Sequence, residues 1–505
     1  MKHLIGIDLG TTAAKCAIYA EDGACVADAQ ENMKIRYPRS GEAEQDAMDF
    51  YTVACRLIRS CLAASGIDAR SVAGIGIDSQ MGGVMSVDRR YRPVTYYDTP
   101  LDARSAAENR SMHEQQGDLI LELNGSFSTF GNKILYWKKR SEWDDIHVFI
   151  QPSAFVAGRL AGLSGDQAYM DETFLCFSGL ADLKRSSWSE ELCAKLGADR
   201  GKLPRILKST DIVGSTTREA ARDTGLPEDI PIAAGCGDQT AGFVGAGILD
   251  TGQFVDVSGT ACIFGVCVDS FRYDAKNKTL ACVKAAVGGQ YYLISVVLGG
   301  RTHNWFIEAF FPDEVKEIRA KGGDIYRHLD GKAATIAPGS DGLVSINYLQ
   351  GRFFPPDPSV RGLFLGHTWA HGRMHFYRAI LESIAYDHFL TREIVRKLLP
   401  GTPLSGVVTA IGSGAKSELW MQIKSDVLQS PYQSLVRTDF ATLGASLLAG
   451  YATGMFAGPA ETRRFAAVDT RVMPRPGADL AYRRNIEIYD ELFRALKDVY
   501  RRLPT

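Results

Sequence analysis

The sequence contains no long apolar segment and no strong excess of charge of either sign. No apolar run approaches the roughly 18 residues that a membrane-spanning helix needs, and Asp8 interrupts the first stretch before the apolar core of a signal peptide could form. The formal net charge of −2 gives little attraction for nucleic acid or for an anionic membrane. We therefore expect neither kind of partner, and we expect a cytoplasmic protein.

The sequence also lacks the cysteine patterns of zinc sites and disulfide frameworks, and it has no low-complexity linker. Its 10 cysteines include no CxxC pair and no short-spaced Cys/His cluster, so reduced thiols are expected. What is present is a chain of 505 residues, of which 45% are apolar and 23% are charged. This is the composition of a globular protein, and the length predicts two large domains or more.

The stretch 231–247, PIAAGCGDQTAGFVGAG, is the most distinctive of the chain. Residues 231–234 are predicted to form a buried strand that breaks at Gly235 and Gly237, and Asp238 then begins a helix rich in glycine. Asp238 has two interpretations: an N-cap of the helix, or a carboxylate at a strand–helix junction, where α/β sheets bind ligands. In the second case the helix N-terminus is expected to keep it ionised, as a general base must be.

A hairpin near the start of the chain carries a second candidate site. Residues 4–8 form a strand that ends in Asp8, and Gly10, Thr11 and Thr12 form the turn before the next strand. Hydroxyl and backbone N–H donors in such a turn suit phosphate oxygens, and the preceding acid suits Mg²⁺. The alternative is a plain hairpin turn with no ligand.

The hairpin pattern occurs again near the middle of the chain. Residues 253–257 form a predicted strand, Gly259 and Thr260 form a turn, and 261–268 form a second strand. LIGIDLGTTAAKCAIYA and FVDVSGTACIFGVCVD thus share the order strand, Gly-Thr turn, strand. We therefore predict two α/β domains, 1–247 and 248–505, that hold one polyphosphate between them. Coincidence between two short hairpins is the alternative.

Two other strand ends carry polar or small residues. In the second half, a strand at 407–411 leads into 412–417, where small residues would let a flat ring or a ribose lie against the backbone. In the first half, polar residues at 78–83 and 97–104 follow predicted strands, a weak indication of a ligand rich in hydroxyl groups.

Together these segments resemble the FGGY carbohydrate kinases, a family that includes glycerol, xylulose, ribulose and fucose kinases. IGIDLGTT, GCGDQTAG and DVSGTA are similar to the family's first phosphate motif, catalytic-Asp motif and second phosphate motif. GSGAKSELWMQIKSDVL is similar to the adenosine motif, and GLFLGHTWAHGRMHFYRAILE to the C-terminal signature. EAEQD and PLDAR fall at the family's EQDP-like and WxDxR-like segments. The match covers nearly the whole chain in the family's order.

The resemblance implies two ribonuclease H-like domains of the actin/hexokinase superfamily, with ATP in the cleft between them and a ketose or polyol as phosphate acceptor. It makes Asp238 the general base and has Asp8 hold Mg²⁺ through water. The residues that it places on the nucleotide are Thr11, Thr12, Lys15, Gly259, Thr260, Gly300, Asn304, Gly414, Ala415 and Ser417. Those that it places on the sugar, besides Asp238, are Gln80, Met81, Asp102, Arg104 and Gln239. A homodimer is one option that it leaves open.

The sequence departs from its relatives at the sugar side. Xylulose kinases carry QMH where this chain has Gln80, Met81 and Gly82, so D-xylulose is expected to be a poor substrate. Glycerol kinases carry an Arg-Glu pair at 81–82, so glycerol is disfavoured too. Two other functions stay open at this point: an actin-like ATPase of the chaperone or filament type, which would share the first Gly-Thr turn, and a non-catalytic sugar-sensing relative.

Overall fold

The computed structural model describes residues 1–503, and its first half contains a seven-stranded mixed sheet. The strands of this half are β1 (His3–Leu9), β2 (Ala13–Ala20), β3 (Cys25–Asn32), β4 (Glu44–Gln45), β5 (Val72–Ser79), β6 (Met85–Val87), β7 (Tyr97–Asp98), β8 (Val148–Ile150), β9 (Tyr169–Asp171), β10 (Ala181–Asp182), β11 (Ser187–Trp188), β12 (Arg205–Leu207), β13 (Ile212–Ser215), β14 (Pro231–Ala233) and β15 (Cys236–Gly237). The helices are α1 (Ala47–Ser65), α2 (Ala106–Asn124), α3 (Gly131–Trp137), α4 (Pro152–Ala161), α5 (Glu190–Leu196), α6 (Arg218–Thr224) and α7 (Asp238–Gly245).

The second half contains another seven-stranded mixed sheet. The strands of this half are β16 (Phe254–Ser258), β17 (Cys262–Val268), β18 (Ala281–Lys284), β19 (Tyr291–Val297), β20 (Val344–Ile346), β21 (Leu363–Leu365), β22 (Val408–Ile411), β23 (Tyr432–Leu435) and β24 (Val468–Val472). Its helices are α8 (Gly299–Phe310), α9 (Pro312–Ala320), α10 (Ile325–Ala333), α11 (Arg373–Leu398), α12 (Glu418–Leu428), α13 (Phe440–Ala452), α14 (Pro459–Thr462), α15 (Asp479–Ala495) and α16 (Lys497–Tyr500).

Six strands of each sheet have the same order, which confirms the predicted repeat. The first sheet is ordered β3-β2-β1-β5-β14-β13, with β15 also paired to β5. The second is ordered β19-β17-β16-β22-β23-β24, with β18 as an additional strand next to β19. In each, the Gly-Thr hairpin joins two antiparallel strands, and the first strand of the hairpin pairs in parallel with β5 or β22. This is ribonuclease H-like topology in both halves, as predicted.

Glycines in the central strands let helix α13 lie directly on the first sheet. A Cβ at Gly6 would overlap the Thr442 carbonyl oxygen, and one at Gly76 would overlap that of Ala445. Helix α7 approaches α13 equally closely, because a Cβ at Gly245 would overlap the carbonyl oxygen of Phe440. Gly245 therefore has a packing role, and α13 is a core helix.

The two halves share buried apolar contacts. The rings of Phe243 in α7 and Tyr292 in β19 lie 4.6 Å apart, and the Tyr292 hydroxyl donates to the Ile248 carbonyl at 2.7 Å. Helix α13 lies between β23 and β24 of the second sheet in sequence and yet packs on the first sheet. The division at 247/248 stays a prediction. Within residues 1–503, no helix is long and apolar enough to cross a membrane.

Candidate active site

Asp238 is the first residue of α7 and follows a glycine turn at the end of the first sheet. Gly235 has a φ of +83°, and a Cβ there would overlap the Ile77 carbonyl oxygen, so the turn requires glycine. Gly237 occupies the N-cap position, and Asp238 Oδ1 accepts a hydrogen bond from the Gln239 N–H at 2.7 Å. The N-cap interpretation of Asp238 is therefore wrong.

Two further carboxylates belong to the same sheet edge. Asp8 and Asp78 are neighbours in the parallel register of β1 and β5, and Cys236, two residues before Asp238, is the neighbour of Asp78 on its other side. Asp78 is fully buried, and neither of its carboxylate oxygens has a hydrogen-bond partner within residues 1–503. Asp78 was not among the predicted site residues. The repeated letters IGID, at 5–8 and 75–78, are the signal that could have identified it.

Burial makes Asp238 and Asp78 harder to ionise. Burial, followed by the negative charge of Asp8, raises the pKa of Asp238 to about 7, against the smaller opposing effects of the Gln239 N–H and Lys15. Burial and the charges of Asp8 and Asp238 raise the pKa of Asp78 well above its ordinary value. Burial and Asp8 therefore oppose the ionisation that the helix N-terminus is expected to favour, and an ionised Asp238 stays a prediction.

The first Gly-Thr turn is hydrogen-bonded to the predicted sugar side. The Gly10 N–H donates to the Ala13 carbonyl at 3.1 Å and closes the turn. The Thr11 hydroxyl donates to Gln80 Oε1 at 2.7 Å, and the Gln45 amide donates to the Thr11 carbonyl at 3.0 Å. Thr11, predicted for phosphate, and Gln80, predicted for sugar, thus lie side by side, whereas Thr12 is exposed.

Asp8 has the donor chemistry that magnesium requires. Its carboxylate lies 3.3 Å from the Lys15 ammonium, whose side chain is half exposed. In the part of the chain that the structure describes, no three His, Cys, Asp or Glu side chains are arranged to enclose a metal ion. Kinases, however, hold Mg²⁺ with one or two carboxylates, waters and the substrate phosphates rather than with a closed cage. The arrangement fits a magnesium ion held in that open way.

Most of the predicted nucleotide residues of the second half line one cavity of about 980 Å³. They are Gly259, Thr260, Gly300, Asn304, Gly414 and Ser417. Ala415 is not among the lining residues, and the cavity is lined by residues of the second half alone. Lining residues that the sequence did not predict include His303, Tyr326, Asp330 and Trp420. Their helices, α8, α10 and α12, are brought together only by tertiary packing.

Contacts at the edge of this cavity hold its predicted residues in place. A Cβ at Gly300 would overlap the Gly259 carbonyl oxygen, so the N-terminus of α8 lies directly against the second Gly-Thr turn. An exposed helix N-terminus attracts phosphate. Ser417 caps α12 and donates to Asp330 at 2.6 Å, while Asn304 accepts a hydrogen bond from the Tyr326 hydroxyl at 2.9 Å.

The segment at Met81 and Gly82 lies next to the glycine turn that precedes Asp238. A Cβ at Gly237 would overlap the Met81 sulfur, so Met81 packs directly against Gly237, the residue before Asp238. Gly82 has a φ of +90°, and a Cβ there would lie 3.3 Å from Thr129 Oγ1 and 3.6 Å from Pro100. The space that a side chain at 82 would need is therefore partly occupied by Thr129 and Pro100.

Asp102 and Arg104 bind each other and their protein neighbours. The Arg104 guanidinium lies 2.8 Å from Asp102, 2.9 Å from Glu44 and 3.6 Å from Asp98, and its side chain is only 8% exposed. Asp102 Oδ2 also accepts the Ala43 N–H at 2.7 Å. The Arg104 and Asp102 side chains are buried and paired, so any direct contact of Asp102 or Arg104 with a sugar would have to compete with these bonds. The predicted sugar contacts of both residues stay predictions.

Curated relatives of the chain match it over nearly its full length. The chain is 28% identical to a xylulose kinase from Bacillus subtilis over 508 aligned positions, which cover 99% of this chain and 97% of that protein. It is 25% identical to a gluconokinase from the same organism, with the same shares covered.

A solved structure shows the same fold. The ligand-bound xylulose kinase from Lactobacillus acidophilus superimposes with a TM-score of 0.88 at 24% identity, over 99% of each chain. Two family models also match: the N-terminal domain of the FGGY family of carbohydrate kinases at residues 3–245, and its C-terminal domain at 245–453. The chain therefore belongs to the FGGY family of carbohydrate kinases.

Proposed function

We propose that the chain transfers the γ-phosphate of ATP to a hydroxyl of a neutral ketose or polyol, with Asp238 as the general base. The observation that carries this proposal is the position of Asp238: a partly buried carboxylate with a pKa of about 7, at a strand–helix junction of the first sheet. A base is most effective when its pKa lies near the working pH.

The local bonds of Asp238 suit proton transfer. The Gln239 N–H occupies Oδ1, and no described residue donates a hydrogen bond to Oδ2. The turn before Asp238 is held by the protein interior. The Gly237 N–H donates to Thr173 Oγ1 at 2.9 Å, and the Thr173 hydroxyl donates to the buried Asp171. Oδ2 is thus the atom that would accept the proton of the sugar hydroxyl.

The remaining residues position the phosphates. We assign Thr11, Thr12 and Lys15 to them from one side, and Gly259, Thr260 and the N-terminus of α8 from the other. Asp8 would hold Mg²⁺ through water, and Mg²⁺ would neutralise the charge on the transferred phosphate. Phosphoryl transfer needs alignment and charge neutralisation more than covalent help, and these residues supply both.

The charges near the sugar side favour a neutral acceptor over an aldonate. Gluconokinases are among the relatives, and an aldonate needs a cation for its carboxylate. The two buried cations of this region are already paired: Arg104 with Asp102 and Glu44, and Lys133 with the carbonyl oxygens of Thr99 and Asp102. Because the charges of Asp98 and Asp102 also act on Lys133, an incoming carboxylate would meet cations that already have acidic neighbours.

A substrate screen tests this proposal. We expect the highest kcat/KM for a ketose or polyol among pentuloses, hexuloses, polyols and aldoses, and at least about a tenfold lower value for D-gluconate, because an unpaired buried charge is strongly unfavourable. D-xylulose is expected to rank low. Gluconate at the top would contradict the neutral acceptor while leaving the kinase intact. No turnover with any acceptor would favour the non-catalytic sugar sensor.

The rate should depend on pH through Asp238. Because its pKa is raised, the carboxyl is protonated at lower pH and cannot accept the hydroxyl proton there. We expect kcat/KM to rise about tenfold per pH unit below an apparent pKa near 7 and to level off above it. The measurement is kcat/KM for the best acceptor from about pH 5 to 9 at saturating MgATP. A flat profile down to pH 5 would contradict the assignment.

A further inference from the structure

A buried ion pair lies directly beneath the second Gly-Thr turn. The Lys424 ammonium of α12 is 2.7 Å from Asp256 Oδ2 of β16, and the two side chains are 1% and 0% exposed. Burial alone would raise the pKa of Asp256, but Lys424, neighbouring His388 and the hydrogen bonds of Lys424 and Ser258 bring that pKa below its ordinary value. The carboxylate is therefore ionised at neutral pH.

Such a pair has no evident advantage for stability alone. Removing two charges from water is costly, and apolar residues of similar volume often stabilise a core as well or better. Both side chains are buried, so the pair does not contact solvent or a ligand directly. Its hydrogen bonds lead to the nucleotide cavity, and a function that depends on those bonds would explain why two charges are buried here.

Ser258 connects the ion pair to the cavity. Its hydroxyl donates to Asp256 Oδ1 at 2.8 Å and accepts a hydrogen bond from Lys424 Nζ. Both its proton and an acceptor position are thus used, which fixes its side-chain orientation. Ser258 lines the cavity and immediately precedes Gly259 and Thr260, the residues assigned to phosphate.

Ser258 also supports the adenosine loop. Its carbonyl oxygen accepts a hydrogen bond from Ser413 Oγ at 3.4 Å. Cβ atoms built at Gly412 and Gly414 would lie 2.8 Å from the Ser258 carbonyl oxygen and 2.5 Å from its Cβ, respectively. The loop 412–417 therefore rests on Ser258, and one serine touches both the phosphate turn and the adenosine loop.

We propose that Lys424 is a positioning residue for ATP, which acts through Ser258 to hold the phosphate turn and the adenosine loop in one arrangement. The inference rests on the proposed nucleotide site and adds a residue outside the ATP contacts. Lys424 also lies 3.9 Å from the centre of the Trp420 ring, a lining residue of the cavity. The ammonium thus contacts two walls of the site without reaching its interior.

The test compares three variants by calorimetric binding of MgATP without sugar. Ser258→Ala keeps the ion pair and removes the hydroxyl that connects it to the cavity. Lys424→Met removes the ammonium. Lys424→Met with Asp256→Leu replaces the pair by apolar residues, which is expected to fold even if the single variant does not. We expect each to bind ATP about tenfold more weakly, the value of one charge-assisted hydrogen bond, while the KM for the sugar stays unchanged.

The combination of Ser258→Ala with Lys424→Met separates positioning from a general loss of structure. If Lys424 acts through Ser258, the double variant binds ATP within about twofold of the weaker single one; independent roles would multiply their effects. Lys397→Met, the same change at the exposed end of α11, should bind as the unchanged protein does.

Two outcomes separate a failure of the positioning role of Lys424 from a failure of the proposed nucleotide site. If the unchanged protein does not bind MgATP, the proposed nucleotide site is wrong. If it binds, and Ser258→Ala and the apolar-pair variant both bind within about twofold of it, the positioning role of Lys424 is wrong and the nucleotide site stands.

Discussion

Asp238→Asn is expected to lower kcat by about 10²–10⁴-fold or more, because general-base help to a hydroxyl nucleophile has that value. The amide cannot accept the proton, but it keeps the size of the side chain and the oxygen that the Gln239 N–H contacts. The affinity for MgATP should change little. The measurement is turnover with the best acceptor of the screen, together with calorimetric binding of MgATP.

Asp229→Asn is a matched control for this variant. Asp229 is exposed and has a φ of +69°, a conformation that asparagine also tolerates, so the same chemical change away from the site should leave kcat unaltered. If Asp238→Asn keeps most of its activity, the carboxylate is not the base. A loss of activity with a loss of MgATP binding would point to a disturbed fold instead.

Stability gives a second readout for Asp238→Asn. The folded protein holds the pKa of Asp238 above its ordinary value, so the protonated form is the one that folding favours. That stabilisation is complete below the ordinary pKa of aspartate and is lost as the pH rises through about 7. The amide has no such loss. We expect the variant to melt a few degrees higher than the unchanged protein near pH 8, with the difference shrinking toward pH 5.

The sequence predicted the parts of this protein that are local in the chain. Each Gly-Thr hairpin lies within about 16 consecutive residues, and alternating strands with a glycine turn are a strong local signal. The turn at Gly235 and the start of α7 were likewise readable, because glycine there meets a steric requirement. The matching order of the two sheets followed from the repeat.

What the sequence did not predict depends on contacts between distant segments. Asp78 joins the site only through the β1–β5 register, and His303 and Asp330 enter the cavity through helix packing. The raised pKa of Asp238 was not predicted, because the degree of burial and the proximity of Asp8 are tertiary properties. The bonds that neutralise Arg104 likewise come from residues up to 60 positions away. The homodimer and the cytoplasmic location stay predictions.

Asp8→Asn is the second variant with a large expected effect. Removing the carboxylate removes the residue assigned to hold Mg²⁺, whose neutralisation of phosphate charge is worth several kcal/mol in kinases and related enzymes. We expect kcat/KM to fall by about a hundredfold or more at limiting Mg²⁺, with a partial recovery as Mg²⁺ is raised. The measurement is the Mg²⁺ concentration at half-maximal rate, at a fixed concentration of ATP.

Asp28→Asn is the control, because Asp28 lies on an exposed part of β3 in the same sheet and should not change the Mg²⁺ requirement.

The Asp8 variant also leaves Lys15 without its carboxylate partner, 3.3 Å away. If the loss of that ion pair caused the fall in kcat/KM, Lys15→Met would lower kcat/KM to a similar extent. It would not change the Mg²⁺ dependence, since it leaves the carboxylate oxygens of Asp8 in place. An unaltered Mg²⁺ requirement in Asp8→Asn would show that the metal is held elsewhere, and the role of Asp8 would then be confined to raising the pKa of Asp238.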